Sequence, residues 1–241
     1  MSSIRKLINQ TAIYGTSSII GRFLNFLLTP LYALQFTNEQ YGIITEMYAY
    51  VAFLVVFLTY GMETAFFRFS TTNKEGKINI YSNTLYSLIT TSIVFVAMAT
   101  IFSQNIADWL KYPNHKEYII WFSLIVSLDA VSSIPLAKLR LQEKAKKFAL
   151  VNLLNVGVNI FLNLFFLIYC KEAYENGHQN WITENLYNPE IGVGYVFISN
   201  LIASVIKFGV LMPTMSFRGT FDFTILKQMT SYAAPILLVG L

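Results

Sequence analysis

The sequence predicts an all-α protein: a polytopic membrane helix bundle of six transmembrane helices plus a truncated seventh. Three observations predict it. Of 241 residues, 55% are hydrophobic and only 12% are charged, against about 25% charged in an ordinary soluble domain. Two charge-free runs, Ile78 to Ala107 and Phe148 to Cys170, exceed the ~18 apolar residues that mark a membrane-spanning helix. No stretch alternates apolar and polar residues over the ~10-residue segments a membrane barrel needs. A soluble globule of this size cannot cover so much apolar surface with so little charge. An ordinary cytosolic enzyme, a disordered chain and a secreted disulfide scaffold are therefore excluded. The single cysteine, Cys170, permits neither an internal disulfide nor a cysteine-based zinc cluster.

In chain order, the spans are expected at Thr11–Phe36, Tyr41–Phe67, Thr84–Ser103, Tyr118–Ala137, Phe148–Tyr169 and Ile191–Pro213. Each supplies the ~20 residues that cross a bilayer at 1.5 Å per residue. After Lys227 only 14 residues remain, a reach of about 21 Å against a hydrocarbon core of about 30 Å. The expected division is thus a six-helix lobe over residues 1–227 and the start of a seventh helix over 228–241. The N-terminus does not read as a cleavable signal, because the residues after Arg5 and Lys6 are too polar and Arg22 interrupts them. Pro30, Pro135 and Pro235 fall within spans, where neighbouring helices can re-satisfy the freed carbonyls.

Loop charges set the orientation. The N-terminal side collects Arg5, Lys6, Arg68, Lys74, Lys77, Lys138, Arg140, Lys144, Lys146, Lys147, Arg218 and Lys227, and the other side only Lys111, Lys116 and Lys171. The asymmetry places the N-terminus in the cytoplasm. His115, His178 and the acidic loop from Lys171 to Glu190 fall outside. The basic pI of about 9.0 is therefore mostly a positive-inside signature, and no nucleic-acid partner is expected, since no recognition motif accompanies the Lys144–Lys147 cluster.

Inside the spans, polar residues form stripes. Thr11, Gly15, Ser18, Arg22, Asn25 and Thr29 of the first helix fall within an arc of about 80°. An unpaired arginine at the bilayer centre costs about 3 kcal/mol on insertion scales, so Arg22 is expected to face protein or a water-filled cavity. It reads either as a packing residue in a buried pair or as a cationic ligand for an anionic substrate. Asn152, Asn155, Asn159 and Asn163 form a similar arc on the fifth helix. Their amides read either as inter-helix hydrogen bonds or as contacts to a hydroxyl-rich substrate, since an amide offers donors and an acceptor. Asn200, Ser204 and Lys207 lie at i, i+4 and i+7 on the sixth helix; Lys207 either snorkels or helps Arg22 in a cavity. Asp129 lies at a depth similar to Arg22 and reads as its structural partner or as an ion-coupling site. Glu46 and Glu63 read as interfacial, and the Phe and Tyr content as lipid-facing bulk and interfacial belt. No enzyme signature is visible: the spans hold no histidine and no close carboxylate pair, and no glycine-rich phosphate loop is present. No cofactor or metal is expected.

Several stretches resemble a known family. They are Thr37-Asn-Glu-Gln-Tyr-Gly42, Tyr60-Gly-Met-Glu-Thr-Ala-Phe-Phe-Arg-Phe69, Ile134 through Ala149, and Tyr232-Ala-Ala-Pro235. In order and spacing they are similar to the oligosaccharide flippases, the polysaccharide-biosynthesis membrane proteins of the multidrug/oligosaccharidyl-lipid/polysaccharide exporter superfamily. The resemblance implies the N-terminal lobe of a two-lobed exporter of 12–14 helices, with a C-terminal lobe as partner. It implies an undecaprenyl-diphosphate-linked oligosaccharide as substrate, moved across the bacterial inner membrane for O-antigen or capsule biosynthesis. It also places a cationic cavity residue in the first helix, where Arg22 stands. The candidate substrate-binding residues are then Arg22, Asn25, Asn155, Asn159, Asn200 and Lys207. A cation-coupled drug exporter of the same superfamily, with Asp129 as its acid, and a non-transporting membrane assembly protein are the competing readings.

Overall fold

The computed structural model describes residues 2–72, 77–177 and 180–240, with side chains outside 2–10, 77–78, 182 and 238–240. Arg5, Lys6, Lys74, Lys77 and His178, named above for their charge or place, lie outside the described side chains. The described residues form helices and connecting turns, with no strand among them. The helices are α1 (Ser2–Phe26), α2 (Leu28–Gln35), α3 (Asn38–Thr59), α4 (Met62–Thr72), α5 (Lys77–Ile101), α6 (Ser103–Trp109), α7 (Lys116–Leu141), α8 (Ala145–Leu164), α9 (Lys171–Glu175), α10 (Trp181–Leu186), α11 (Gly194–Leu211) and α12 (Phe223–Gly240). They build six membrane-length segments: Thr11–Gln35, Asn38–Thr72, Asn79–Ile101, Lys116–Leu141, Ala145–Glu175 and Gly194–Thr214. All six spans expected from hydropathy are present.

Two spans are broken where one continuous helix was expected, and each break has a local cause. The first parts at Leu27, between α1 and α2, three residues before Pro30, whose ring nitrogen has no hydrogen for the Phe26 carbonyl. The second parts at Tyr60 and Gly61, which take left-handed backbone at φ 34° and 71°. Here a close approach requires glycine: a Cβ on Gly61 would lie 2.8 Å from the Ala233 carbonyl oxygen of α12. Leu164 leads instead into a π-helical turn, Phe165–Cys170, which widens the fifth span just beyond Asn163. The expected loop after Lys171 contains α9 and α10.

The turn Thr37–Gln40 is a capping box. Gln40 N–H donates to Thr37 Oγ1 at 3.3 Å, and Thr37 N–H donates to Gln40 Oε1 at 3.2 Å. This satisfies orphan donors at the start of α3 and joins the first two spans. Lys171 Nζ donates to the carbonyl and the Oε1 of Gln35, tying the end of α2 to the fifth span.

Helix α7 is the hub. It packs against α5, α11, α3, α6, α4 and α8, and 61% of its most apolar window is buried, against 22–44% for the other spans. Ile125, Val126, Ala130, Ile134 and Ala137 are fully enclosed. Pro135 is buried within it without ending the helix. At the end of α7 that carries the basic residues, Arg140 pairs with the partly exposed Glu63. Lys138 lies 4.0 Å from the Tyr81 ring centroid and donates to the Thr214 carbonyl.

Segment 216–222 returns along α5 and is held by polar side chains at the start of that helix. Ser82 Oγ donates to Ser216 O and accepts from Gly219 N–H; Asn83 donates to Thr220 O and accepts from Asp222 N–H. Asp222 then caps α12 by accepting from Thr224 N–H at 2.8 Å. Helix α12 thus begins ahead of the division expected at residue 228, and buries Met229 and Ala233 against α4 and α5.

Replacing Gly61 by alanine should lower the thermal midpoint of the detergent-purified protein. Left-handed backbone costs an L-residue about 1–2 kcal/mol, and the added methyl must also displace the Ala233 carbonyl. An unchanged midpoint would mean that α12 does not dock on this turn.

Candidate functional site

Asn155 and Asn159 of α8 come together with Asn25 and Thr29 at the junction of α1 and α2, where α1 packs along α8. Gly21 is the contact point: it is buried, and a Cβ there would lie 3.5 Å from Val156. A cavity of about 390 Å³ lies between α1, α2, α3, α8 and α11. Asn25, Asn155, Asn159 and Asn200, four of the candidate residues, line it together, with Thr29, Tyr32 and Tyr48. Its lining contains no carboxylate and no cation.

The hydrogen bonding is complete at one end of this cavity and open at the other. Tyr32 OH donates to Asn163 Oδ1 at 3.0 Å, and Asn163 Nδ2 donates to the Asn159 carbonyl at 2.8 Å and to Asn159 Oδ1 at 3.1 Å. Asn200 Nδ2 donates to Tyr48 OH at 3.3 Å. The Tyr32–Asn163 and Tyr48–Asn200 contacts are inter-helix hydrogen bonds of the kind expected when amides lie in hydrocarbon, and the Asn163–Asn159 bonds lie within α8. Asn155 differs: its Nδ2 is buried and without a hydrogen-bond partner. A buried amide left unpaired costs about 1–3 kcal/mol, so it is a donor awaiting an acceptor.

The cavity tyrosines were missed in the sequence, where the aromatic residues read as lipid-facing bulk and interfacial belt. The signal was there in the same spacing that exposed the amides. Tyr32 continues the Asn25 and Thr29 face at i+7 and i+3, and Tyr41, Thr45 and Tyr48 lie at i, i+4 and i+7 on α3.

Three candidates lie elsewhere. Arg22 does not line this cavity. It is exposed one turn before Asn25, as are Thr11, Gly15 and Ser18, so the polar face of α1 is an open face of the bundle. Asp129 does not pair with Arg22 either. It accepts from Lys207 Nζ at 2.6 Å and from Ser204 Oγ at 3.0 Å. Lys207 is buried at 8% exposure; it neither snorkels nor joins Arg22 in a common cavity. The reason is packing: α7 lies against α11, whereas α1 lies against α8. The face of α11 thus divides its labour, with Asn200 in the cavity and Ser204 and Lys207 on Asp129.

Among the described residues, no group of three or more His, Cys, Asp or Glu side chains converges to hold a metal. Cys170 is buried and free. At the end of the bundle that bears the Thr37 turn, Glu46 accepts from Tyr112 OH at 2.5 Å and from Tyr50 OH at 2.8 Å. Tyr112 lies between the spans. Burial first, and the Glu46 bond second, push its pKa up to about 12.

The family model described as "polysaccharide biosynthesis protein" matches residues 35–188, well over half of the chain. The chain belongs to the polysaccharide biosynthesis protein family. Its six membrane-length helices and this membership make it a multi-pass membrane protein of polysaccharide synthesis. The matched stretch includes the Thr37 turn, Asp129, Asn155 and Asn159, while Arg22, Asn25, Asn200 and Lys207 lie outside it. No curated protein and no solved structure matches the chain.

Two expectations follow. Asp129→Leu should strand a buried ammonium and destabilise the bundle by about 3–5 kcal/mol, and Lys207→Met should leave the partly exposed Asp129 carboxylate unpaired at a smaller cost. The double variant should recover most of the loss in a heat-challenge size-exclusion assay; a double variant as unstable as the summed singles would remove the pair from the stabilising core. For Tyr112, the folded pKa lies above the ordinary 10. Its neutral phenol therefore contributes fully below pH 10, and the contribution is lost as pH rises through about 12. The phenolate absorbance gained as pH rises through about 12 should be smaller by one tyrosine in Tyr112→Phe; no difference between the two proteins there would contradict the raised value.

Proposed function

We propose that this protein is one lobe of a flippase that carries polyprenyl-diphosphate-linked oligosaccharide across the bacterial inner membrane for surface polysaccharide assembly. The observation that carries the reading is the cavity within the membrane bundle, lined by amides and phenols without a formal charge, with the buried Asn155 donor unspent. Sugar hydroxyls both donate and accept, so amides and phenols match them where a charged lining would not. Membership of a polysaccharide biosynthesis family supports a saccharide substrate.

Arg22 supplies the counter-charge in this reading. Dragging a diphosphate through hydrocarbon is costly, and an arginine fork matches phosphate oxygens. Arg22 lies on the same helical face as Asn25 and Thr29, at the open side of α1. An arginine at that depth requires water or protein beside it, so the open face borders a translocation cleft closed by a second lobe. The polyprenyl tail stays in lipid while the two lobes rock about the bound head group. The step is translocation, with no bond made or broken. The twelve-to-three bias of basic residues supports a cytoplasmic N-terminus.

The competing readings fit the side chains less well. A cation-coupled drug exporter needs a protonatable acid facing its cavity, and Asp129 is engaged by Lys207 and Ser204. An assembly protein would knit its amides to one another, and Asn155 is left unpaired.

The test is surface-glycan export in cells that depend on this protein. Arg22→Lys should keep partial export, and Arg22→Ala should abolish it at unchanged protein level. Asn155→Leu should reduce export about tenfold, the loss of one ligand hydrogen bond. Full export by Arg22→Ala would end the counter-charge role, and full export by Asn155→Leu would end the role of the cavity.

A further inference from the structure

A second pair of hollows lies on the other side of α3, away from the cavity described above. At the bundle end that bears the Thr37 turn, a polar cleft of about 790 Å³ is lined by Glu39, Glu46, Tyr50, Trp109, Lys111 and Tyr112. Directly alongside runs an apolar groove of about 510 Å³ between α3, α5, α6 and α7, walled by Val51, Leu54, Phe95, Ala99, Ile119 and Phe122. Tyr50, Trp109 and Leu110 belong to both. The polar cleft and the apolar groove are therefore one continuous amphipathic surface.

Its dimensions follow the bilayer. Glu39 stands in the first turn of α3 and Leu54 fifteen residues further on, a rise of about 22 Å along the helix. Polar lining occupies the first two turns and apolar lining the next two. That order, a polar head at the membrane surface and a carbon-lined channel running inward for part of one leaflet, is the shape of a phospholipid. The groove has little other use for polar atoms: its Ser123 hydroxyl is spent on the Ile120 carbonyl at 2.8 Å.

The charges select the head group. Glu39 and Glu46 face one lysine, Lys111, so the cleft carries an excess of negative charge. Glu46 is oriented by the Tyr112 and Tyr50 hydroxyls, which leaves acceptor positions on its carboxylate. The exposed indole of Trp109 and the two phenols add aromatic faces that attract a cation. An anionic diphosphate or phosphatidylglycerol head would meet two carboxylates. We propose that this surface is a binding site for a zwitterionic phospholipid, whose amine head group meets Glu39, Glu46 and the aromatic rings while its phosphate meets Lys111 and one acyl chain fills the groove. The site is separate from the amide cavity and stands whether or not that cavity carries sugar.

The test is native mass spectrometry of the delipidated protein, titrated in separate arms with phosphatidylethanolamine, phosphatidylcholine and phosphatidylglycerol of matched acyl chains. Either zwitterionic lipid should be retained about tenfold more tightly than phosphatidylglycerol. Preference for the ethanolamine head assigns the contact to carboxylate hydrogen bonds, and equal retention of choline assigns it to the aromatic rings. Glu39→Gln combined with Glu46→Gln should erase the preference over phosphatidylglycerol. Because Glu46 also holds two tyrosines, Glu39→Gln alone, at an exposed position, should weaken the preference in a protein of unchanged thermal midpoint. Ala99→Phe, which fills the groove, should reduce retention of all three lipids. Equal or tighter binding of phosphatidylglycerol, or a preference that survives the double carboxylate variant, would overturn the proposal.

Discussion

A charge in hydrocarbon has to find its partner within the protein, and Asp129 and Lys207 meet that demand at the centre of this bundle. Their contact at 2.6 Å joins α7, the helix around which the others pack, to α11. Ser204 adds a further hydrogen bond to the same carboxylate oxygen. With this pair satisfied, the remainder of α11 is free to present Asn200 to the cavity. The arrangement of the bundle is thus organised from its least tolerable groups outward, since one unpaired ion outweighs several apolar contacts.

The same demand separates amides that hold the structure from the amide left open. Asn83 on α5 both donates to and accepts from the 216–222 segment, and Asn163 is bound to Tyr32 and Asn159. These side chains are saturated, and they fix a returning segment and a helix contact. Asn155 is on the same face as Asn159 and Asn163, yet its nitrogen is buried and unpaired beside a cavity. Residue type is therefore a poor guide to role here, and hydrogen-bond completion is a better one.

Broken helices give these contacts their geometry. The break at Leu27 separates α1 from α2, and Tyr32 of α2 reaches Asn163 of α8. The left-handed turn at Tyr60 and Gly61 admits the Ala233 carbonyl and docks α12. Aromatic rings then cover cations at the basic end, where Arg68 lies 4.2 Å from the Tyr232 ring centroid. In each case a local departure from regular helix satisfies a non-local contact.

Much of the fold was legible in the sequence, because a membrane helix satisfies its own backbone and needs only length and apolarity. The six spans and the narrow arcs of Asn25 and Asn155 follow from local spacing alone, and so does the basic end of the bundle. Four of the six candidate binding residues do line one cavity. Partner choice was not legible, because it depends on which helices lie side by side. Depth alone paired Asp129 with Arg22, whereas packing gave Asp129 to Lys207 and left Arg22 on an open face. Composition assigned Tyr32 and Tyr48 to the lipid belt, whereas the contact of α2 and α3 with α8 and α11 turned their hydroxyls onto amides. The sequence by itself determined which faces are polar, since that is set by 3.6 residues per turn. Only the tertiary structure decided what each polar face meets, since that is set by residues 78 to 152 positions away.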